Sequence, residues 1–198
     1  MSPPETALIY IHGFNSSPAS HKAGLLRQVF EGAGAGQRLH VPALEPEPKR
    51  AMAALEACIA GAGPVALLGS SLGGFFATWL AEHHDLRAVV VNPALRPWQL
   101  LDKYTGINHN YHTGQAYQFE PAWLDQLRHY DVPSISKPEQ TLLLTQTGDE
   151  SLDWEAGWEF YGECHRYCGL GGSHGFDDFD AFIPLVLRFC GIRLASDV

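Results

Sequence analysis

Positively charged residues are scarce in this chain. Its 198 residues include 13 Lys and Arg against 22 Asp and Glu, which gives a formal net charge of -9 with histidine neutral. The basic residues form no cluster or run, so the electrostatic footprint of a nucleic-acid-binding protein is missing. An acidic surface also disfavours other anionic surfaces. We therefore expect no nucleic-acid partner and no highly charged polyanion as substrate.

Long hydrophobic runs are also lacking. No apolar run approaches the roughly 18–20 residues that a transmembrane helix needs. The first residues, Met-Ser-Pro-Pro-Glu-Thr, lead directly into a short apolar run. They lack the basic region and longer apolar region of a signal peptide. These absences predict no membrane span and a cytoplasmic location.

Cysteines are few: Cys58, Cys164, Cys168 and Cys190. Without an export signal, reduced thiols are expected rather than disulfides. Cys164 and Cys168 flank His165, which suggests a zinc site, but such sites usually need a second ligand pair. We expect no metal here, and we interpret the cysteines as residues that fill space along a strand.

The remaining composition is that of a globular domain, with 45% hydrophobic and 18% charged residues. Apolar runs alternate with helical patterns, and alternating strands and helices pair in parallel. Continuous apolar runs suit strands that are covered on both faces. We predict one three-layer α/β domain over residues 1–198, with a mostly parallel sheet of about five or six strands. The predicted strands are 7–11, 38–41, 65–68, 88–91, 141–145 and 167–170, and the predicted helices are 22–30, 50–60, 72–82, 154–161 and 184–189, the last with Pro184 in its first turn.

Residues 93–140 interrupt this alternation. The segment has no strong strand signal and is rich in aromatic and polar residues. It is too long for a plain connection between two elements. We interpret it as a cap inserted over the edge of the sheet, and a flexible surface loop is the alternative.

Residues 69–73, Gly-Ser-Ser-Leu-Gly, follow an apolar strand and precede a helical pattern. This is the context of a nucleophile elbow, in which a serine on a tight turn projects its hydroxyl above the sheet. Glycines two residues before and two after Ser71 allow the strand and helix to pass closely, and Ser70 lacks glycines at both positions. Ser71 is therefore the predicted nucleophile. The alternative is an ordinary turn rich in glycine and serine.

Residues 10–15, Tyr-Ile-His-Gly-Phe-Asn, end the first predicted strand. The glycine lets the chain turn and direct a backbone N–H into the site. We expect the backbone N–H groups of Phe14 and Leu72 to form an oxyanion hole. His12 is a candidate base, but a structural role is favoured, because in proteins with such a nucleophile elbow the base follows the nucleophile in the chain.

The acid and the base come later, because a nucleophile elbow of this kind is followed in the chain first by the acid and then by the histidine. Asp149 lies just past the end of a predicted strand, with Asp153 and Glu150 as alternative acids. His174 lies in a glycine-rich loop before the last helix. In this interpretation His174 takes the proton of Ser71, and Asp149 orients the imidazole and stabilises its cationic form.

Together these motifs resemble those of the small bacterial YqiA-type esterases of the α/β-hydrolase superfamily, over nearly the whole chain. The resemblance implies a carboxylic-ester hydrolase with the triad Ser71, Asp149 and His174. It also implies activity on acyl thioesters such as acyl-CoA. It rests on residues 10–18, 69–74, 77–80, 90–94, 96–97, 111–115, 146–150 and 171–174.

Catalysis does not require His12, Asn15, Asn92 and Arg96, and we assign these residues to the substrate pocket. For the last three, anchoring of the cap is an equal alternative.

The expected reaction is acyl transfer to Ser71 and then hydrolysis, without a metal or organic cofactor. The aromatic cap favours an apolar acyl group of short or medium length on a small-molecule ester or thioester. Carbon–carbon bond hydrolysis on the same fold, or a non-catalytic binding protein, are the alternatives.

Overall fold

The computed structural model describes residues 5–195 and is built on a six-stranded sheet. Every neighbouring pair in this sheet is parallel. The predicted α/β class with a mostly parallel sheet is confirmed. The strands are β1 Ala7–Ile11, β2 Leu39–His40, β3 Val65–Ser70, β4 Ala88–Val91, β7 Thr141–Gln146 and β8 His165–Gly169, and a separate antiparallel pair consists of β5 Gly106–His109 and β6 Ala116–Phe119. The order in the six-stranded sheet is β2-β1-β3-β4-β7-β8.

Helices cover both faces of the sheet. They are α1 His21–Gly32, α2 Pro48–Ala62, α3 Leu72–His84, α4 Pro97–Leu100, α5 Ala122–His129, α6 Trp154–Phe160 and α7 Phe179–Phe189. Along β1, Leu8 and Tyr10 pack with α1 and α7, whereas Ile9 and Ile11 pack with α2, α3, α5 and α6. Burial on both faces explains the continuous apolar runs, and the three-layer arrangement is confirmed. Within residues 5–195, no helix has the length and apolar character that crossing a membrane requires.

Parallel pairing brings the carboxyl ends of the strands to one edge of the sheet. Ile11 pairs with Gly69, Ser70 with Val91, and Gln146 with Gly169. The segments that follow β1, β3, β4, β7 and β8 therefore lie side by side, where ligands bind in open α/β sheets.

The last helix differs from the prediction. Helix α7 begins at Phe179, so Pro184 lies inside the helix and the prediction that Pro184 sits in the first turn is wrong. Proline has no N–H to donate to the preceding turn. The helix continues through it because Phe179, Ile183, Val186 and Leu187 are buried against the sheet. Burial of this apolar face outweighs one missing backbone hydrogen bond.

The segment 93–140 contains α4, the β5–β6 hairpin and α5. The hairpin is a further correction, because the sequence shows no strong strand signal here. Its strands have only four residues each, and only Phe119 of β6 and Asn108 of β5 are buried. Strands this short are specified by their tertiary contacts rather than by a local pattern.

Lys22 of α1 is a buried cation. It is 8% exposed, and its Nζ donates a hydrogen bond to the backbone carbonyl of Gly175 and lies 5.7 Å from the ring centroid of Phe179. No carboxylate of residues 5–195 forms an ion pair with it. Desolvation by burial lowers the pKa of Lys22 to about 8.

Replacing this lysine changes how stability depends on pH. The pKa of Lys22 is lower in the folded than in the unfolded state, so the unfolded chain binds more protons between about pH 8 and pH 10.5. Below about pH 8 the buried charge of Lys22 lowers the free energy of unfolding of the wild type, and this loss disappears as the pH rises through the window. Relative to Lys22→Met, we expect the wild type to gain roughly 3 kcal/mol across it. Urea unfolding of both proteins at several pH values measures this, and a constant difference contradicts it.

Helix α3 passes very close to the strands beneath it. A Cβ atom on Gly73 would lie 2.0 Å from the carbonyl oxygen of Ile11, and one on Gly69 would lie 2.2 Å from the carbonyl oxygen of Gly73. These obstacles are backbone atoms, which cannot rotate away as a side chain can. The turn between β3 and α3 therefore requires glycine at both positions.

An alanine at this crossing tests the requirement. We expect Gly73→Ala to lower the free energy of unfolding by at least about 2 kcal/mol, because α3 must move away from β1. Gly24→Ala is the matched control, since its Cβ would meet nothing within 4 Å on helix α1, and it should stabilise the protein by about 0.5–1 kcal/mol. Equal urea-unfolding curves for Gly73→Ala and the wild type would show that the crossing is loose.

Candidate active site

Ser71 forms the turn between β3 and α3. Its backbone has φ 57° and ψ -122°, a conformation that is strained for any residue except glycine. The backbone N–H of Ser71 donates to the carbonyl of Val91 at 3.0 Å, which ties the turn to β4. The side chain is half-buried and lies at the amino end of α3. There, the first N–H groups of a helix lack acceptors within the helix.

The structure brings Ser71, His174 and Asp149 together in one row of hydrogen bonds. His174 Nε2 lies 3.0 Å from Ser71 Oγ, and His174 Nδ1 lies 3.0 and 2.9 Å from the two carboxylate oxygens of Asp149. An ionised carboxylate only accepts, so Nδ1 carries the hydrogen. In neutral His174, Nε2 then presents its lone pair to the hydroxyl of Ser71.

The environment of Asp149 favours its ionised form. Burial alone would raise the pKa of this carboxyl group, and hydrogen bonds lower it. The donors are the imidazole of His174 and the backbone N–H groups of Leu152, at 2.8 Å, and Ser151, at 2.9 Å. The donors outweigh burial, and the pKa of Asp149 lies below its usual value. A negative charge therefore remains beside His174 at neutral pH.

The two alternative acids have other partners. Asp153 caps the amino end of α6, where its side chain accepts from two backbone N–H groups of the first turn. Glu150 accepts from the backbone N–H of His174 at 2.9 Å, and this bond lowers the pKa of Glu150. Neither carboxylate forms a hydrogen bond with the imidazole of His174.

Two amides hold the loop that contains His174, and the sequence alone did not predict this function for either. Gln146 Oε1 accepts from the backbone N–H groups of Ser173, at 3.2 Å, and Asp177, at 2.8 Å. Asn92 Nδ2 donates to the carbonyls of Ser173 and His174, both at 3.0 Å. Asn92 is 2% exposed and lines none of the cavities described below, so the structure places it in the support of this loop. Their position at the carboxyl end of a strand is the only local signal, since Asn92 follows β4 directly and Gln146 is the last residue of β7.

Two backbone N–H groups near Ser71 have no hydrogen-bond acceptor among residues 5–195. Leu72 is the first residue of α3, so its N–H has no acceptor within the helix. The N–H of Phe14 forms no hydrogen bond within residues 5–195. A Cβ on the neighbouring Gly13 would lie 3.6 Å from Ser71 Oγ, so this loop passes directly against the serine. Both predicted N–H groups are thus available to an oxygen atom bound near Ser71.

The β5–β6 hairpin is fastened to residues 12–17, which we call the 12–17 loop. The hydroxyl of Tyr117 donates to Asn15 Oδ1 at 2.5 Å, and the backbone N–H of Tyr111 donates to the carbonyl of Asn15 at 2.8 Å. Asn110 Nδ2 donates to the carbonyl of Ser16 at 2.7 Å. Asn15 has φ 54°, which asparagine tolerates better than most residues. The structure thus uses Asn15 to join the hairpin to the loop that contains Phe14.

Two adjoining cavities open beside the 12–17 loop. The inner pocket has a volume of 50 Å³ and is lined by His12, Phe14, Asn15 and Leu72 together with apolar side chains of α3, α5 and β6. The outer chamber has a volume of 390 Å³ and shares His12 and six other lining residues with the inner pocket. Arg96 does not line either cavity. It is exposed and lines a separate cavity of 540 Å³ between α3, α4 and α6.

His12 is 4% exposed. Its Nδ1 lies 3.1 Å from the carbonyl oxygen of Gly13, so Nδ1 carries the hydrogen and Nε2 is the acceptor. Burial lowers the pKa of His12, although the bond to Gly13 opposes the change, and the ring is therefore neutral at neutral pH. Nε2 is buried and has no hydrogen-bond partner among residues 5–195.

Metal-binding geometry is not found in the part of the chain that the structure describes. No group of three or more His, Cys, Asp and Glu side chains there is arranged to hold a metal ion. Cys58, Cys164, Cys168 and Cys190 are all free thiols.

Similar solved structures include α/β-hydrolase domain-containing protein 10 from mouse, with 14% identity over 96% of this chain and 89% of that chain and a TM-score of 0.68. Est1E from Butyrivibrio proteoclasticus with bound ferulic acid has 14% identity over 94% and 88%, with a TM-score of 0.65. A monoacylglycerol lipase from Paleococcus ferrophilus has 15% identity over 94% and 96%, with a TM-score of 0.62. At these identities the likeness shows the α/β-hydrolase fold.

The family comparison covers almost the whole described chain. Residues 7–191 match the sequence profile of one family, whose description is "Uncharacterised protein family (UPF0227)". This span includes every strand and helix described above. The protein therefore belongs to UPF0227, the YqiA-like family that its motifs resemble.

Proposed function

We propose that this protein is a serine hydrolase that cleaves carboxylic esters, including acyl thioesters, through a covalent acyl-enzyme. The observation that supports this most is the row of hydrogen bonds from Ser71 through His174 to Asp149. In this arrangement a hydroxyl faces one imidazole nitrogen, and a carboxylate holds the other. It is the geometry required for an activated serine nucleophile.

The first half of the reaction forms the acyl-enzyme. Ser71 Oγ bonds to the carbonyl carbon of the ester while His174 Nε2 takes the hydroxyl proton. The N–H groups of Phe14 and Leu72 donate to the carbonyl oxygen as it becomes negative. The bond from carbon to the leaving oxygen, or to sulfur in a thioester, then breaks, and His174 returns its proton to the leaving group. Asp149 stabilises the imidazolium throughout.

The second half releases the acid. A water molecule gives a proton to His174 Nε2 and its oxygen bonds to the acyl carbon, with the same two N–H groups stabilising the charge. The bond from carbon to Ser71 Oγ breaks, and Ser71 regains its proton from His174. All proton transfers use the same nitrogen atom, 3.0 Å from Ser71 Oγ.

The insertion of residues 93–140 acts as the cap in this proposal. Its hairpin holds the 12–17 loop through Asn15, and its side chains form part of the walls of both adjoining cavities. A small-molecule ester therefore binds between this cap and the carboxyl edge of the sheet. His12 and Asn15 belong to this substrate region, and Arg96 lies outside it at the 540 Å³ cavity.

Removal of the nucleophile tests the proposal. We expect Ser71→Ala to lower kcat for 4-nitrophenyl butyrate and butyryl-CoA by about 10⁴-fold or more, since the acyl-enzyme cannot form. A fluorophosphonate probe should label the wild type and Ser70→Ala but not Ser71→Ala, with mass spectrometry of the labelled peptide as the readout. Thermal unfolding of each variant provides the control for folding. Equal turnover by the wild type and Ser71→Ala, or labelling at another residue, would overturn the proposal.

The hydrogen bond from Tyr117 to Asn15 gives a second prediction. Burial raises the pKa of Tyr117 to about 12, so its hydroxyl remains a donor at neutral pH. Loss of this bond in Tyr117→Phe releases the loop that contains Phe14. The backbone N–H of Phe14 stabilises the negative charge that develops in the transition state more than it stabilises the bound substrate. We expect kcat for 4-nitrophenyl butyrate to fall about three- to tenfold, with KM changed less than twofold.

Tyr111→Phe is the matched control for this variant. Tyr111 is also in the hairpin, but its side chain is 71% exposed and only its backbone N–H bonds to the loop. It should retain wild-type kcat and KM. A rise in KM with unchanged kcat in Tyr117→Phe would show that the tyrosine serves ground-state binding instead.

A further inference from the structure

The two adjoining cavities lie on one side of Ser71, and His174 approaches from the other. Their walls come from the segments that follow β1 and β2, from the hairpin, and from helices α2, α3 and α5. Asp149 and His174 follow β7 and β8, at the opposite end of the strand order. No residue of the segments 147–153 and 170–178 lines either cavity.

This placement indicates which part of an ester enters the cavities, given the hydrolase function proposed above. The leaving oxygen must lie beside His174, because it receives a proton from Nε2. The carbonyl oxygen lies between the N–H groups of Phe14 and Leu72. The remaining substituent of the tetrahedral carbon is the acyl chain, and it points away from His174 toward the inner pocket.

The inner pocket limits the apolar part of that chain. Its volume is 50 Å³, about a third of the roughly 150 Å³ of an engineered cavity that binds benzene. Two or three carbon atoms beside the carbonyl fill it. Its walls are mostly apolar and include Phe14, Leu72, Phe76, Phe119 and Leu127.

Beyond this pocket the wall carries more polar groups, although apolar surface still predominates. Ser17, Thr113 and Gln115 line the outer chamber of 390 Å³ but not the inner pocket, and Ser16, Glu45 and Asn110 line both. A long hydrocarbon chain that continued into this chamber would separate these polar groups from water without offering them hydrogen bonds. A chain that carries a polar group beyond its first carbons suits the chamber better.

His12 supplies the specific partner for such a group. It lines both the inner pocket and the outer chamber, so it lies where the two cavities meet. Its Nε2 is a buried acceptor without a partner among residues 5–195. A buried acceptor that lacks a donor is unfavourable, so a bound molecule that donates a hydrogen bond gains affinity there.

We propose that the substrates are esters of short hydroxylated acyl groups. The first carbons of the acyl chain occupy the inner pocket, and a hydroxyl at about the third carbon donates a hydrogen bond to Nε2 of His12. The structure thus assigns to His12 the recognition of the acyl group rather than proton transfer to or from Ser71.

Three 4-nitrophenyl esters test this: the butyrate, the 3-hydroxybutyrate and the octanoate. For the wild type we expect kcat/KM to be about tenfold higher for 3-hydroxybutyrate than for butyrate, the effect of one satisfied buried acceptor. We expect the octanoate to be at least about tenfold poorer than the butyrate, since its tail exceeds the apolar pocket. An octanoate that matches the butyrate, or a hydroxyl that brings no gain, overturns the inference.

The variant His12→Leu removes the acceptor and keeps an apolar side chain of similar size. The ratio of kcat/KM for 3-hydroxybutyrate to that for butyrate should fall to about one. His112→Leu is the control: it removes a nearby histidine that lines neither cavity and should keep the wild-type ratio. If His12→Leu does not fold, His12→Asn provides the same comparison. A ratio unchanged in the folded His12 variant overturns the inference.

Labelling of Ser71 separates this inference from the proposed function. The fluorophosphonate probe reacts with an activated serine whatever acyl group the enzyme prefers. A wild type that is labelled at Ser71 but hydrolyses butyrate and 3-hydroxybutyrate equally remains a serine hydrolase, and only the inference about the acyl group fails. A wild type that is not labelled overturns both.

Discussion

The crossing of helix α3 over the ends of β1 and β3 determines much of the remaining geometry. The backbone of Gly73 lies so close to the carbonyl of Ile11 that even a methyl group cannot fit between them. This contact places the first N–H groups of α3 beside the loop that follows β1. It also leaves Ser71 as the only link between strand and helix, in a backbone conformation that the surrounding hydrogen bonds must maintain.

The strands were predictable because burial on both faces imposes a simple pattern. A strand such as Val65–Ser70 has apolar residues at nearly every position and ends in small residues at the turn. The glycines around Ser71 and His174 were visible for a similar reason, since a tight turn between a strand and a helix restricts the residue type locally. Such features depend on neighbours in sequence, and a single sequence displays them directly.

Other features depend on partners far away in the chain. Pro184 normally predicts a helix start, but the burial of residues from both sides of it decides otherwise. The functions of Asn92 and Gln146 follow from bonds to a loop 81 and 31 residues away. The β5–β6 hairpin is held by the 12–17 loop, about 95 residues earlier, as the bond from Asn110 to Ser16 spans 94 residues. No local pattern encodes these contacts, so the sequence alone could not have predicted them.

The hydrogen bond between His174 and Ser71 joins residues that are 103 positions apart, and this distance has a consequence for folding. Bringing together two residues so far apart costs more chain entropy than forming local contacts does. This hydrogen bond therefore forms after the local contacts. The loop of His174 is also fixed by Asn92 and by Lys22, which come from separate parts of the chain. A partly synthesised or partly folded chain therefore holds Ser71 without its hydrogen bond to His174, and the row of hydrogen bonds to Asp149 is complete only when the last strand and helix have docked.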